Sequence, residues 1–380
     1  MAVMTNDRET IFQNAGRIVV KLGSGILTGD NGLNLDVITS ISHQISTLTD
    51  SGIEVIMISS GAVASGMKKM SMLEKPGTTP GKQALAAIGQ AGLILAYEKA
   101  FNTNNKKVAQ ILLTQNDLVN KKRYLNARNT LNTLIAWKVI PIINENDTVA
   151  TDELKFGDND NLSAMIALLL NADVLINLTD IDGLYNKDPR TNPDAELLPI
   201  ITTIGKSVEK LASSIPGAVG TGGMLSKIKA AKKATSAGIP MFIASGKDSS
   251  IIPDLFAGKE KGTFFAPKES KMESRKRWLA FNAKPVGKIT LDDGARAAII
   301  SNGTSLLPSG IIDVEGDFRI GATVKCVDKK NNLIATGLVN YTSTQINDIK
   351  GQKSSEIEKI LGFKNDDEVI HRDNLAVTGQ

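Results

Sequence analysis

Two lysines stand beside glycine-rich segments of the 380-residue chain. Lys21 ends the apolar run of VVKLGSGIL, and Gly23, Ser24 and Gly25 follow it. Lys227 falls in the first turn of a predicted helix in GTGGMLSKIKAAKKA (220–234). A cation there opposes the helix dipole, which favours an anionic ligand at the same helix end. Glycine-rich loops can point their amides at phosphate oxygens. The spacing around Lys21 matches neither a Walker A motif nor a dinucleotide fingerprint. The alternatives are an exposed lysine beside a turn for Lys21 and a solvated helix face for Lys227.

The segment INENDTVATDELKFGDNDNLSA (143–164) concentrates carboxylates and amides directly after a predicted strand. Its acidic residues are Glu145, Asp147, Asp152, Glu153, Asp158 and Asp160, and its asparagines include Asn144, Asn146, Asn159 and Asn161. Such groups can bind an ammonium group, organise lysines or hold waters on Mg²⁺. The alternative is a solvated acidic loop, but the position after a parallel strand favours ligand binding.

Two further polar segments follow predicted strands. Ser59, Ser60 and Gly61 lie at a strand-to-helix junction in ISSGAVASGM (58–67), where unpaired N–H groups and the helix dipole attract anions. Thr179 and Asp180 follow the strand in NLTDIDGLYNKDPR (177–190), at a place where a nucleotide ribose or base could be held. Simple capping by serine and a hairpin turn are the respective alternatives.

The chain has few residues for catalysis of the histidine type. It contains two histidines, His43 and His371, and one cysteine, Cys326. Lysines, carboxylates, hydroxyls and backbone amides must therefore carry the chemistry. An acceptor that is already ionised needs no base, and a glutamate side chain, with an ordinary pKa of about 4.3, is such an acceptor. Lysines and Mg²⁺ would offset the repulsion between two anions, so the residues favour phosphoryl transfer from a polyphosphate.

A parallel sheet must position these segments. Six apolar runs rich in Val and Ile are predicted as strands buried on both faces, at 17–21, 54–59, 108–114, 139–144, 173–179 and 240–245. Helical patterns lie between them, at 36–51, 82–101, 123–137, 160–171 and 225–238. The alternation predicts a doubly wound, mainly parallel α/β domain with helices on both faces.

The character of the chain changes after Phe265. We predict an α/β catalytic domain over 1–267, a charged linker over 268–283, and a small β-barrel with a C-terminal tail over 284–380. The barrel strands are expected in GKITLDDG, AAIISNGTSLLPSG, GATVKCVD and NLIATGLVNY, before a short helix around Ser354 to Leu361.

The composition argues against several classes of protein. A net charge of +4 does not demand a polyanionic partner, and one cysteine leaves no disulfide framework within a chain. The N-terminus lacks the apolar core of a signal peptide, and no apolar stretch approaches the length of a membrane span. From residue 284 onward, 12 Lys and Arg stand against 13 Asp and Glu, which makes RNA binding unfavourable there. We therefore expect a cytoplasmic protein.

Taken together, the motifs resemble those of the glutamate 5-kinases, a branch of the amino acid kinase family. The resemblance rests on VVKLGSGIL, SSGAVASG, PIINENDTVA, KFGDNDNLSA, LTDIDGLYNKDPRTNPDAEL and GTGGMLSKIKAA. GDNDNLSA in combination with GTGGM and its lysine is the most specific part. The tail, with GKITLDDGARAAI, SLLPSGI and IATGLVNY, resembles a PUA domain. The resemblance implies the amino acid kinase fold followed by a PUA-like β-barrel.

The resemblance also implies a role for each matching residue. Lys21 and Lys227 would be the catalytic lysines, and Asp160 would organise them. The ATP-binding positions would be Lys21, Gly23, Ser24, Thr179, Asp180, Thr221, Gly222, Gly223, Met224 and Lys227. The substrate-binding positions would be Ser60, Gly61, Asn144, Glu145, Asp147, Asp158 and Asn159. No protein carboxylate is assigned as a direct metal ligand, since Mg²⁺ would be carried by ATP.

A reaction and its partners follow from the same resemblance. ATP and Mg²⁺ would be the cofactors and L-glutamate the substrate, giving γ-glutamyl phosphate, the first step of proline synthesis. Feedback inhibition by L-proline and assembly into a homo-oligomer, a dimer or a tetramer, are implied as well. Two alternatives stay open. One is a kinase of the same fold acting on acetylglutamate, aspartate, carbamate or a nucleoside monophosphate, and the other is an RNA-binding protein acting through the tail.

Overall fold

The computed structural model describes residues 3–29, 32–150, 159–213, 223–267 and 284–378. The chain divides into two compact units, the first of Met1–Leu118 with Lys122–Lys271 and the second of Val119–Lys121 with Met272–Gln380. The predicted linker over 268–283 lies outside the described residues.

The first unit is built on an eight-stranded sheet. The strands of this sheet are β1 Arg17–Leu22, β4 Glu54–Ser59, β5 Lys107–Leu113, β6 Val139–Glu145, β7 Val174–Thr179, β8 Ile200–Ile201, β9 Met241–Ser245 and β10 Thr263–Phe265. Two further strands, β2 Thr28–Gly29 and β3 Gly32–Leu33, pair only with each other among the described residues. The order across the sheet is β5-β6-β4-β1-β7-β9-β10-β8, and every pair is parallel except β9 with β10. The mainly parallel sheet predicted from the six apolar runs is therefore confirmed.

Helices accompany the strands of this sheet. They are α1 Val3–Gln13, α2 Ser24–Leu27, α3 Leu35–Asp50, α4 Ala62–Lys69, α5 Thr79–Asn102, α6 Gln115–Val119, α7 Lys121–Ala136, α8 Asn159–Leu170, α9 Lys206–Ser213, α10 Met224–Ser236 and α11 Ile251–Phe256. The five predicted helices correspond to α3, α5, α7, α8 and α10. Helix α3 begins where the Asn34 side chain accepts a hydrogen bond from the amide of Val37, which is ordinary N-capping.

One strand differs from its predicted environment. β5 was expected to be buried on both faces, but none of its residues is fully buried, and Gln110 and Leu112 are exposed. The reason is its place at the edge of the sheet, where only β6 pairs with it. β1, β4, β6, β7 and β9 are the strands that carry the buried runs.

Close packing of α4 on α5 fixes the start of α4. A Cβ at Gly89 would lie 1.8 Å from the carbonyl oxygen of Ala62, and one at Gly66 would lie 2.0 Å from that of Leu85. Any side chain at these two glycines would force the helices apart. Gly61, the residue before α4, has φ +105°, which disfavours other residues there. The position of Ser60 therefore depends on glycines on two helices.

The second unit is a five-stranded mixed sheet in the order β12-β11-β13-β14-β15. Its strands are β11 Gly287–Leu291, β12 Ile311–Glu315, β13 Thr323–Val327, β14 Leu333–Leu338 and β15 Leu375–Val377, and its α-helices are α12 Asp293–Asn302, α13 Ser343–Ile349 and α14 Ile357–Leu361. Short 3-10 turns occupy Pro308–Gly310, Ser354–Glu356 and Arg372–Asn374. The predicted helix around Ser354 to Leu361 is confirmed.

The segment AAIISNG, predicted as a strand, is instead the C-terminal part of α12. Local signals explain the difference. The Asp292 side chain accepts a hydrogen bond from the amide of Ala295 at 2.6 Å and so caps the helix. Gly303, with φ +60°, ends it in the left-handed conformation. The β-propensity of Ile299 and Ile300 is outweighed by the two caps and the intervening alanines.

None of the helices in the described ranges has the length and apolar character needed to cross a membrane.

Candidate active site

The site lies at the carboxyl ends of β6, β4, β1 and β7, which are neighbours in the sheet. Lys21 is in β1, opposite Asn177 of β7 in the strand register. Asn159 and Asp160 are the first two residues of α8, and Lys227 is in the first turn of α10. Parallel strands end at one edge of a sheet, so polar residues distant in the sequence meet there.

Asp160 accepts hydrogen bonds from four side chains. Its Oδ1 atom lies 2.6 Å from Lys21 Nζ and 2.9 Å from Asn177 Nδ2. Its Oδ2 atom lies 2.5 Å from Ser226 Oγ and 3.4 Å from Lys227 Nζ. A carboxylate offers about four lone-pair positions, and all of them are used here. Asp160 therefore holds the two predicted catalytic lysines on its two oxygens.

The charges of this cluster are buried, with Lys21 4%, Asp160 2% and Lys227 6% exposed. Burial alone would raise the pKa of Asp160. The charges of Lys21 and Lys227, with hydrogen bonds from Lys21 and Ser226, outweigh burial and hold that pKa well below its ordinary value. Asp160 is therefore ionised at neutral pH, and two cations face one anion. The surplus positive charge makes the cluster suited to a further anionic group.

Asn159 links three of the segments that were expected to bind substrate. Its Nδ2 atom lies 3.0 Å from Ser60 Oγ, 3.0 Å from Asn144 Oδ1 and 3.2 Å from the carbonyl oxygen of Ser59. Asn144 in turn donates to Gln90 Oε1 of α5 at 2.9 Å. The ends of β4 and β6 and the start of α8 are thus joined by one network of amides.

Buried acceptors lie in these same segments. Asp147, shortly after β6, is 8% exposed, and its Oδ1 atom has no hydrogen-bond partner among the described residues. Burial raises the pKa of Asp147 to about 6, although the charge of Lys75 acts in the opposite direction. The Oδ1 atom of Asn159 also lacks a partner within the described ranges. Leaving such acceptors unpaired costs about 1–3 kcal/mol each, which a ligand with several N–H donors would recover.

Four of the residues assigned to nucleotide binding lie around the ends of β1 and β7, namely Gly23, Ser24, Thr179 and Asp180. Gly23 precedes α2, and its amide donates to the carbonyl oxygen of Leu178 at 2.9 Å. A Cβ at Gly23 would lie 3.3 Å from the carbonyl oxygen of Leu178 and 3.6 Å from Lys21 Nζ, so a side chain at this position would contact that ammonium. Thr179 is buried and donates to Asp180 Oδ1 at 3.0 Å. A Cβ at Gly25 would lie 2.8 Å from the carboxyl carbon of Asp180, so this loop is closely packed.

Of the remaining predicted residues, some are described by the structure and others are not. Ser24 begins α2, Gly61 precedes α4, Glu145 ends β6, and Gly223 and Met224 start α10. Asp158, Thr221 and Gly222 lie outside the described residues, as do Asp152 and Glu153. The structure thus brings Lys21, Asp160 and Lys227 into contact, and Ser60, Asn144 and Asn159 into a second connected group.

Three residues of the site were not predicted from the sequence. Asn177 and Ser226 bind the carboxylate of Asp160, and Gln90 binds Asn144. Asn177 could have been identified from the sequence, because it is a polar residue within the mostly apolar, buried strand VLINLT. Ser226 and Gln90 carried none, since each sits in a helix where serine or glutamine is ordinary.

The described side chains of this site do not form a set of ligands for a metal ion. Within the described residues no group of three or more His, Cys, Asp or Glu side chains could hold one. Asp160, the carboxylate at the centre of the site, has all four of its acceptor positions occupied by Lys21, Asn177, Ser226 and Lys227. A metal in this site would need ligands other than these residues.

Comparison with known proteins shows the family to which the chain belongs. The sequence pattern of the amino acid kinase family matches residues 16–245, and that of the PUA domain matches residues 287–361. The chain is 49% identical over 374 residues to a glutamate 5-kinase of Syntrophus aciditrophicus, covering 98% of this chain and 97% of the relative. It is 51% identical over 371 residues to a glutamate 5-kinase of Geobacter sulfurreducens, covering 97% and 100%. A crystal structure of an isopentenyl phosphate kinase from T. acidophilum covers 66% of this chain and 99% of its own, at 22% identity and a TM-score of 0.45.

Proposed function

Because the chain belongs to the glutamate 5-kinases of the amino acid kinase family, we propose that it transfers the γ-phosphoryl group of ATP to the side-chain carboxylate of L-glutamate. The observation that carries the proposal is the buried contact of Lys21 and Lys227 with one carboxylate, Asp160. Two cations held by one anion leave net positive charge where a phosphoryl group would pass between two anionic partners.

The reaction needs no general base. A carboxylate oxygen of glutamate attacks the γ-phosphorus, the bond from that phosphorus to the β–γ bridging oxygen breaks, and ADP leaves with the electron pair. No proton changes place, because the acceptor is ionised above its ordinary pKa of about 4.3. The work left to the protein is orientation and charge stabilisation, which Lys21 and Lys227 supply.

The amino acid part of the substrate suits the second group of residues. An ammonium group has three N–H donors, and Asp147 and Asn159 each carry an acceptor that has no partner among the described residues. Ser60 and Asn144 hold the Asn159 amide, so the acceptor on that side chain has a fixed direction. We assign the carboxylate of Asp147 and the Oδ1 atom of Asn159 to the ammonium group of the substrate.

Mg²⁺ is assigned to the nucleotide. Because the described side chains offer it no cluster of ligands, the ion would arrive on the phosphates of ATP, where it supplies charge neutralisation.

The family to which the chain belongs also supports a proposal for the wider role of the protein. The proposed product is γ-glutamyl phosphate, and its formation would be the first step of proline synthesis in the cytoplasm. Inhibition by L-proline and assembly into a dimer or tetramer are part of the same proposal. Initial rates with increasing L-proline, together with light scattering of the purified protein, test these two points.

A panel of acceptors tests the proposed function. ADP formation should require L-glutamate and should be far slower with L-aspartate, N-acetylglutamate, carbamate or UMP. Equal or faster turnover with one of those four acceptors would assign the chain to another reaction of the same fold.

Replacing Asp147 by asparagine should raise KM for glutamate more than it lowers kcat, because a group that binds the ammonium acts mainly in binding. In the wild type, KM should rise as the pH falls through about 6, where Asp147 becomes protonated, and the variant should lose this dependence. Steady-state kinetics between about pH 5 and pH 8 measure both effects. Asp36→Asn, which changes an exposed carboxylate in the first turn of α3, is the matched control.

Asp147→Asn should stabilise the fold above about pH 6, although it weakens the binding of glutamate. The folded-state pKa of Asp147 lies above its unfolded value of about 3.9, so ionisation in the fold costs stability fully above about pH 6, and the cost disappears towards pH 4. Asp147→Asn should therefore raise the thermal unfolding midpoint at pH 8 and change it little at pH 4. A lower midpoint at pH 8 would contradict the unpaired, buried carboxylate.

A chain ending at Pro267 should fold and phosphorylate glutamate. Its apolar core is drawn from residues between Phe12 and Ala266, and the described site residues all precede Lys233. Turnover should stay within about tenfold of the full chain, equivalent to about 1.4 kcal/mol in the barrier. A soluble, folded truncation that forms no γ-glutamyl phosphate would show that the second unit completes the active site.

A further inference from the structure

Ser226 has one hydroxyl proton and two acceptors within reach. Its Oγ atom lies 2.5 Å from Asp160 Oδ2 and 2.8 Å from the carbonyl oxygen of Gly223. A bond to a carboxylate is charge-assisted and roughly twice as strong as one between neutral groups, so the proton goes to Asp160. Ser226 thus reaches across 66 positions of the sequence to α8, and does not serve only as a cap of its own helix.

The two lysines are held by Asp160 at different distances. Lys21 Nζ lies 2.6 Å from Oδ1, but Lys227 Nζ lies 3.4 Å from Oδ2, the oxygen to which Ser226 binds. Both lysines are buried to a similar degree, so exposure does not explain the difference. Ser226 Oγ and Lys227 Nζ share Oδ2 as an acceptor, and the hydroxyl makes the shorter of the two bonds.

From this geometry we infer that Ser226 is a positioning residue, which keeps Lys227 from closing onto Asp160. The inference rests on the proposed function of the site. An ammonium locked into a tight pair with a carboxylate gives less stabilisation to charge that develops on a phosphoryl group. By holding Oδ2, the hydroxyl keeps the ammonium of Lys227 available to the substrate anion while Asp160 still orients it.

Three variants test this role. Ser226→Ala should lower kcat by about tenfold while changing KM for glutamate less than about twofold, since the loss falls on the transition state. Ser226→Thr retains the hydroxyl and should restore kcat. Thr235→Val is the matched control, because it removes another hydroxyl of α10, one whose bonds among the described residues go to the backbone of its own helix. Thr235→Val should leave kcat unchanged.

Thermal unfolding separates positioning from a structural role. The unfolding midpoint of Ser226→Ala should fall no further than that of Thr235→Val, because Lys227 can take over Oδ2. The inference is overturned if Ser226→Ala keeps wild-type kcat, or if the alanine and threonine variants lose activity equally. A wild type that is inactive with glutamate would instead contradict the proposed function and, with it, this inference.

Discussion

Replacing Lys227 by alanine is expected to lower kcat by about a thousandfold while leaving the fold intact. Removing a cation that stabilises a transferring phosphoryl group has effects of this order or larger in other phosphoryl-transfer enzymes. Lys227 is 6% exposed and shares Asp160 with Lys21, so no solvent cation can replace it easily. Steady-state turnover and circular dichroism on the purified variant measure the two expectations.

Two further variants make the result interpretable. Lys227→Met keeps most of the volume of the side chain and should be as inactive as the alanine variant, because the charge and not the packing is required. Lys232→Ala removes a lysine of the same helix that pairs with Glu209 on the surface and should keep full activity. A folded Lys227→Ala protein with near-normal turnover would remove Lys227 from the reaction.

Replacing Asp160 by asparagine should be costly for both activity and stability. The change leaves Lys21 and Lys227 buried without their shared anion, and breaking a buried ion pair in this way costs about 3–5 kcal/mol. The amide cannot accept on both sides, so at least one lysine loses its orientation. We expect kcat to fall by more than KM for glutamate rises, since Asp160 acts through the lysines on the transition state.

Denaturant unfolding and steady-state kinetics measure these effects, with Asp254→Asn as the control. Asp254, in α11, pairs with Lys259, which follows that helix, and should tolerate the same change. Because the pKa of Asp160 is lowered in the fold, its stabilising contribution is present above the unfolded pKa of about 3.9 and is lost as the pH falls below it. If Asp160→Asn raised KM and spared kcat while Asp147→Asn did the reverse, the two roles would be exchanged.

The sheet and the place of the site were predictable from the sequence. Buried strands such as β1 and β7 have continuous runs of Val, Ile and Leu, and the polar residues that follow them must lie at one edge. Lys21 and Lys227 were chosen because each lies beside glycines, at a strand end or a helix start, whereas the role of Asp160 came from the resemblance to the glutamate 5-kinases. Their mutual contact was outside the reach of spacing alone, since Asp160 and Lys227 are 67 positions apart.

Other features depend on packing that local patterns do not contain. β5 has the composition of a buried strand, and only the strand order puts it at the edge. The helix over Asp293–Asn302 follows from its caps at Asp292 and Gly303, which outweigh an Ile-rich segment. The hydrogen bond from Ser226 to Asp160 joins two helices and could be seen only in three dimensions.

Trapping the product with hydroxylamine tests the central claim most directly. The wild-type chain, given ATP, Mg²⁺ and L-glutamate, should yield γ-glutamyl hydroxamate, identified by mass spectrometry, in an amount equal to the ADP formed. Lys227→Ala should yield neither product at a comparable rate. ADP formation without γ-glutamyl hydroxamate, or equal hydroxamate formation by the wild type and Lys227→Ala, would contradict phosphoryl transfer to the glutamate side chain at this site.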